Sequence, residues 1–189
     1  GAQTDRRMGI PGEELPGSWP ATAFVAWYNG HPDFQDVDFD LGCERVVVVG
    51  NGNVAVDVAR MLALTPEELA VTDTTDAAIE AINASSIREI VVLGRRGPAQ
   101  AAFTNPELVE LTELAGADLV VDPADLELDA ASAAAAEDDV MAQRNLDVLR
   151  EAAARSPEGR ARRVVLRFLA SPVALVGDRR VEAVEIVRN

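Results

Sequence analysis

The stretch RVVVVGNGNVAVDVARML, Arg45 to Leu62, constrains the fold more than any other part of the chain. Its run of valines is of the β-branched kind that fills a strand buried on both faces of a parallel sheet. Two glycines interrupt the run, and apolar residues at helical spacing follow from Asn53 to about Leu64. Strand, glycine-rich turn and helix in that order open a βαβ nucleotide site. In such a turn the first glycine permits a sharp bend, the second admits a pyrophosphate against the backbone, and the third lets helix and strand pack closely. Gly50 and Gly52 take the first two places, and Ala55 takes the third with one extra methyl, a spacing associated with NADP more than NAD. The amides of Asn51, Gly52, Asn53 and Val54, at a helix N-terminus, offer donors and positive dipole to phosphate oxygens. Without a ligand, the same pattern is a tight strand-to-helix turn.

The end of the next strand separates cofactors. An NAD site places a carboxylate there, on the ribose 2′-hydroxyl; a 2′-phosphate would be repelled by that group and wants guanidinium. Here Glu89 to Leu93 reads as the second strand and runs into Gly94-Arg95-Arg96-Gly97. Two adjacent arginines suit a 2′-phosphate, and the same pair argues against S-adenosylmethionine, which also normally needs an acid at that place. The long spacing from Gly50 to Gly94 is accounted for by an inserted segment, TPEELAVTDTTDAAIEAINASS. In it Thr65, Pro66 and Glu68 form a capping-box signature for a short helix, and helical character continues to about Ala84.

Further on, TNPELVELTELAG reads as a helix capped by Thr104 or Asn105, with Pro106 at its first position and Gly116 as its stop. Asp118 to Val121 reads as a third strand. Residues 122–160 are acidic, rich in alanine and helical in pattern, notably 141–154. Strand-like runs at Val164 to Phe168 and Val181 to Val187, with VALV between them and a Gly177-Asp178 turn, suggest a small antiparallel meander. The expected fold is α/β: a Rossmann-like, three-layer nucleotide-binding domain with a parallel sheet and that meander appended. Residues 1–44 read as a connecting segment packed on a domain of residues 45–189. IPGEELPGSWP forces turns, and Ala21 to Asn29 forms a short helix turning Phe24, Val25, Trp27 and Tyr28 inward.

Composition narrows the chemistry. All 17 basic residues are arginine, so lysine-dependent mechanisms, the P-loop and the Tyr-Lys pair of short-chain dehydrogenases are excluded. One cysteine, Cys43, and one histidine, His31, rule out a disulfide framework and make a metal site a poor expectation. A net charge of −15 opposes nucleic-acid binding. No run is long enough to span a bilayer and no signal-peptide pattern opens the chain, so a cytoplasmic location is expected. Arginines cluster at 6–7, 95–96, 160–163 and 179–180, where they suit a small anion or a limited docking surface, or simply a solvated face.

With these residues together, the chain resembles the NADP-binding domain of adrenodoxin-reductase-like ferredoxin-NADP reductases. The resemblance is carried by DRRMGIPGEELPGS, FVAWYNGHP, VVVVGNGNVAVDVARML, VLGRRGPAQAAFTNPEL and RFLASP, which span nearly its whole length. These are two-domain flavoproteins that pass electrons from NADPH through FAD to a ferredoxin or similar iron-sulfur protein. The resemblance implies that Asn51, Gly52, Asn53 and Val54 contact the pyrophosphate and that Arg95 and Arg96 clamp the 2′-phosphate. It also implies that Arg6 and Glu107 reach the cofactor, and that Glu110 is a carboxylate near the nicotinamide that assists hydride transfer. The family's FAD-binding domain is expected to be absent from this chain, which should bind NADP(H) but transfer no hydride alone. His31 is then structural, since the family's histidine near the flavin has no counterpart in the chain. Two alternatives remain: a free-standing NADP-binding sensor or docking module, and the corresponding domain of a glutamate-synthase-like flavoprotein, which would not be expected to join GRRGPAQAAFT to FVAWYNGHP.

Overall fold

A computed structural model describes residues 7–189. The elements in chain order are α1 (Ala21–Tyr28), β1 (Arg45–Val49), α2 (Asn53–Ala63), α3 (Pro66–Leu69), α4 (Asp76–Asn83), β2 (Glu89–Leu93), α5 (Asn105–Thr112), β3 (Ala117–Val121), α6 (Ala130–Glu137), α7 (Val140–Ala154), β4 (Arg162–Arg167), β5 (Ala170–Val176) and β6 (Ala183–Arg188). The first four strands make one parallel sheet in the order β1-β2-β4-β3, and β5 and β6 pair antiparallel in a separate sheet. This is the α/β class the sequence pattern indicates.

The strand order corrects one part of that pattern. Residues 164–168 do not begin a meander; 162–167 form β4, which lies between β2 and β3. Its arginines disguised it. They sit toward the strand ends and are satisfied by other elements: Arg162 donates to the carbonyls of Leu62 and Ile82, Arg163 pairs with Glu89 at the start of β2, and Arg167 pairs with Asp125. The second correction concerns β1, expected to be buried on both faces. It is an edge strand with Val49 44% exposed, whereas β2, paired on both sides, is the buried one.

One core cluster joins Val48 of β1, Ile90 and Val92 of β2 and Val164 and Leu166 of β4 to α1, α2, α4, α5 and α7. From α1 it takes Phe24 and Tyr28, with Val25 and Trp27 packed against it half-buried. Burying side chains of this size is worth about 1.5–3 kcal/mol each, so α1 is held by the same core as the sheet. The capping box is present, with Thr65 Oγ1 accepting from Glu68 N and Glu68 Oε2 accepting from Thr65 N. The helix in TNPELVELTELAG stops earlier than its glycine: α5 ends at Thr112, four residues before Gly116, and Thr104 is its cap without a side-chain hydrogen bond. Among the described residues, no helix is long and apolar enough to cross a membrane.

Candidate functional site

The site forms where β1 and β2 end side by side. Both strands point the same way with Val49 opposite Leu93, so the turn at 50–52 and the turn at 94–97 leave the sheet as neighbours. Gly50 has φ +135°, a conformation in which a side chain is strained, and its N–H donates to Leu93 O at 2.8 Å. Gly52 is the N-cap of α2. It has no side chain to occupy the first amides of the helix, which lack intrahelical partners and face outward as donors. Val54, in that first turn, is 52% exposed. The third-glycine position is filled by buried Ala55, whose Cβ stands beside Gly50.

The turn is tied down from a third side. Ala102 donates its N–H to Asn51 O at 2.9 Å, and Gly52 and Ala102 form a parallel bridge. Asn53 then spans the gap to α5, accepting from Thr104 N at 2.8 Å on Oδ1 and donating from Nδ2 to Glu107 Oε1 at 3.2 Å. Thus Asn51, Gly52, Asn53 and Glu107 are brought together, with Gly50 and Val54 beside them. Sequence reasoning assigned Ala102 and Thr104 no place in this site; the signal was that both lie within the motif VLGRRGPAQAAFTNPEL, just after the two arginines.

Two buried polar atoms there have no protein partner: Asn51 Nδ2 and Glu107 Oε2. Buried polar groups are nearly always satisfied, so orphans of this kind mark a place where something else belongs. Gly94 makes room for one of them. A Cβ built there would stand 2.9 Å from Asn51 Nδ2 and 3.1 Å from its Cβ.

Arg95 and Arg96 follow Gly94 and are both exposed. Among the described residues, neither guanidinium has an ion pair or a hydrogen bond, while most other arginines do. Arg160 pairs with Glu158 and reaches the carbonyl of Leu114, Arg162 and Arg163 are engaged at the ends of β4, and Arg180 pairs with Asp40 at 2.8 Å. The cluster at 160–163 therefore works inside the fold, and 95–96 is left facing solvent.

Glu107 and Glu110 share the face of α5 turned toward α2, as helical spacing requires. Glu110 is met by Arg60 Nε at 3.2 Å. Arg60 is held in turn by Asp57 at 2.8 Å, and Asp57 accepts from the Tyr28 hydroxyl at 2.6 Å. Arg6 lies outside the described residues. His31 caps a single 3-10 turn, its Nδ1 accepting from Asp33 N. Among the described residues, no three metal-ligating side chains converge.

Known proteins match this chain closely in sequence and fold. NADPH-ferredoxin reductase FprA of Mycobacterium tuberculosis is 52% identical over 189 residues, 100% of this chain and 41% of FprA. The chain is homologous to part of the ferredoxin-NADP reductases. Mouse mitochondrial NADPH:adrenodoxin oxidoreductase is 50% identical over 125 residues, covering 66% of this chain and 25% of that protein. The structure of M. tuberculosis FprA in complex with NADPH superposes with a TM-score of 0.92 at 50% identity, over 100% of this chain and 41% of FprA. No protein-family model matches. The chain thus spans about two fifths of the length of its FprA relative.

Proposed function

We propose that this chain is the NADP(H)-binding part of a ferredoxin-NADP reductase. The observation that carries the reading is the adjacency of an open helix N-terminus at 51–54 and two unpaired guanidiniums at 95–96, with no carboxylate in the 94–97 turn that ends β2. The first matches a pyrophosphate and the second a 2′-phosphate. A carboxylate at the second place would favour NAD. The orphaned Asn51 Nδ2 suits an acceptor oxygen of the cofactor. The Glu107 Oε2 orphan suits a donor such as a ribose hydroxyl.

In this reading Gly50, Asn51, Gly52, Asn53 and Val54 hold the pyrophosphate, Arg95 and Arg96 hold the 2′-phosphate, and Glu107 and Arg6 make further contacts. When bound, NADPH supplies a hydride, two electrons with one proton, to an oxidised flavin. Glu110 is the candidate catalytic residue, its carboxylate oriented by Arg60. The flavin domain corresponds to the remaining length of the relatives, residues 1–44 form the connection to it, and a ferredoxin-like protein takes the electrons. A cytoplasmic location belongs to the same proposal; the name of the mouse relative places that protein in mitochondria.

Titration of the chain with NADP+ and NAD+ tests the reading. NADP+ should bind well ahead of NAD+, and replacing both Arg95 and Arg96 by alanine should erase the preference. Equal affinities in the unmodified chain, or no binding of either nucleotide, would sink it.

A further inference from the structure

Resting on the reading of Arg95 and Arg96 as a 2′-phosphate clamp, we infer that Asn189 is a positioning residue for that clamp and sets the preference for NADP+ over NAD+. The two arginines sit in a turn, residues 94–96, whose three carbonyls are all held by the segment from β4 to the end of β6. Gly94 N donates to Arg167 O at 2.8 Å, and Gly94 O accepts from Ala170 N at 3.0 Å. Arg96 O accepts from Leu169 N at 3.1 Å. The remaining carbonyl, that of Arg95, accepts from the Asn189 side chain: Nδ2 lies 2.5 Å from Arg95 O and 2.9 Å from Ser171 Oγ. The two N–H bonds of that amide match its two acceptors, so the group is used fully.

A second observation points the same way. Leu169 has φ +54°, the only positive φ at a non-glycine among the described residues. A left-handed branched residue is disfavoured and persists only where its surroundings require it. Leu169 is where the chain leaves the parallel sheet for β5, and the unusual backbone serves two bonds. Its N–H meets Arg96 O, and its carbonyl accepts from Asn189 N at 2.8 Å. Asn189 is therefore bound to the arginine turn directly and again through Leu169. The strained residue and Asn189 brace one three-residue turn, from which the two guanidiniums extend unpaired.

Holding the roots of two flexible side chains lowers the ordering that binding must impose on them. Loss of one such hydrogen bond corresponds to about fivefold in affinity. Only a ligand that uses the arginines should feel it, since the turn at 50–54 is tied instead to Ala102 and Thr104.

The test is calorimetric titration of the chain and its N189A, N189D and R95A/R96A variants with NADP+ and with NAD+, with circular dichroism melts as a check on folding. N189A should weaken NADP+ binding about fivefold and leave NAD+ binding unchanged. N189D, which cannot donate and adds a negative charge beside the turn, should weaken NADP+ binding further. If R95A/R96A weakens NADP+ but the Asn189 variants leave it unchanged, or weaken both nucleotides equally, the brace is overturned while the clamp stands. If R95A/R96A does not weaken NADP+, the reading of the clamp fails and the inference falls with it.

Discussion

Tyr28 donates its hydroxyl proton to Asp57 at 2.6 Å, joining α1 to the middle of α2. Burial first, and then the neighbouring carboxylate, push the phenol well above its ordinary value. Tyr28 is the only tyrosine, so its ionisation can be followed by ultraviolet absorbance without overlap from another phenol. The native state holds the proton more tightly than the unfolded chain. The stabilisation is therefore complete below the ordinary phenol pKa of about 10 and is lost as pH rises above it. Phenolate absorbance should appear only together with alkaline unfolding. Tyr28→Phe should lower stability by about 1–2 kcal/mol in denaturant titration.

Glu89 opens β2 at the opposite end of the sheet from the turns at 50–52 and 94–97 and takes Arg45 and Arg163, one from each neighbouring strand. Burial alone would raise its carboxyl, but the hydrogen bonds from the two arginines outweigh it and hold the group below the usual glutamate value. A depressed carboxylate stabilises the fold above the unfolded pKa of about 4.3 and loses that contribution as pH falls. Glu89→Gln should cost about 1–2 kcal/mol at neutral pH and flatten the acid limb of a stability–pH curve, with no effect on nucleotide preference.

Gly94→Ala should damage binding without damaging the fold. The new methyl would meet Asn51 at 2.9–3.2 Å, so the Asn51 side chain must move out of its place in the glycine turn. Both NADP+ and NAD+ should weaken, by about tenfold if one charge-assisted contact is lost. Their ratio should stay as in the unmodified chain, which separates this effect from loss of the arginines in the same titrations.

Asn53→Ala removes two bonds at once and leaves Thr104 N and Glu107 Oε1 without their partner. Leaving such groups unpaired costs about 1–3 kcal/mol. Thermal melts should reveal the loss, and saturating NADP+ should recover part of it by mass action. Asn53→Asp should be worse than alanine, because it sets a second carboxylate against Glu107.

The order of elements along the first 121 residues was legible because each is announced locally. The valine runs mark β1 and β2, Thr65 and Glu68 announce α3, and Gly50 and Gly52 mark the turn. What could not be read was adjacency between distant segments. RRVVLR carries three arginines whose partners lie up to 100 residues away, at Leu62 in the extreme, so a central strand looked like an exposed one. The edge position of β1 was hidden for the same reason, since its valines do not show that β2 alone pairs with it. In the site, the glycines and the arginine pair were visible as motifs. The Asn53 bridge to Glu107 was not, since an asparagine opening a helix carries no mark of what its side chain spans.

The place of β4 also bears on how the molecule is made. β2 and β3 are not bonded to each other; each waits for β4, which is synthesised last of the four and fits between them. A nascent chain emerging from the ribosome can pair β1 with β2 early, but it carries β3 unpartnered until residue 167 has been added. Such long-range closure is slow and leaves strand edges open to aggregation in the interval. The glycine turn after β1 and β4, the strand that completes the sheet, are thus one cooperative unit, and a chain stopped before β4 would hold the motif without the fold that gives it shape.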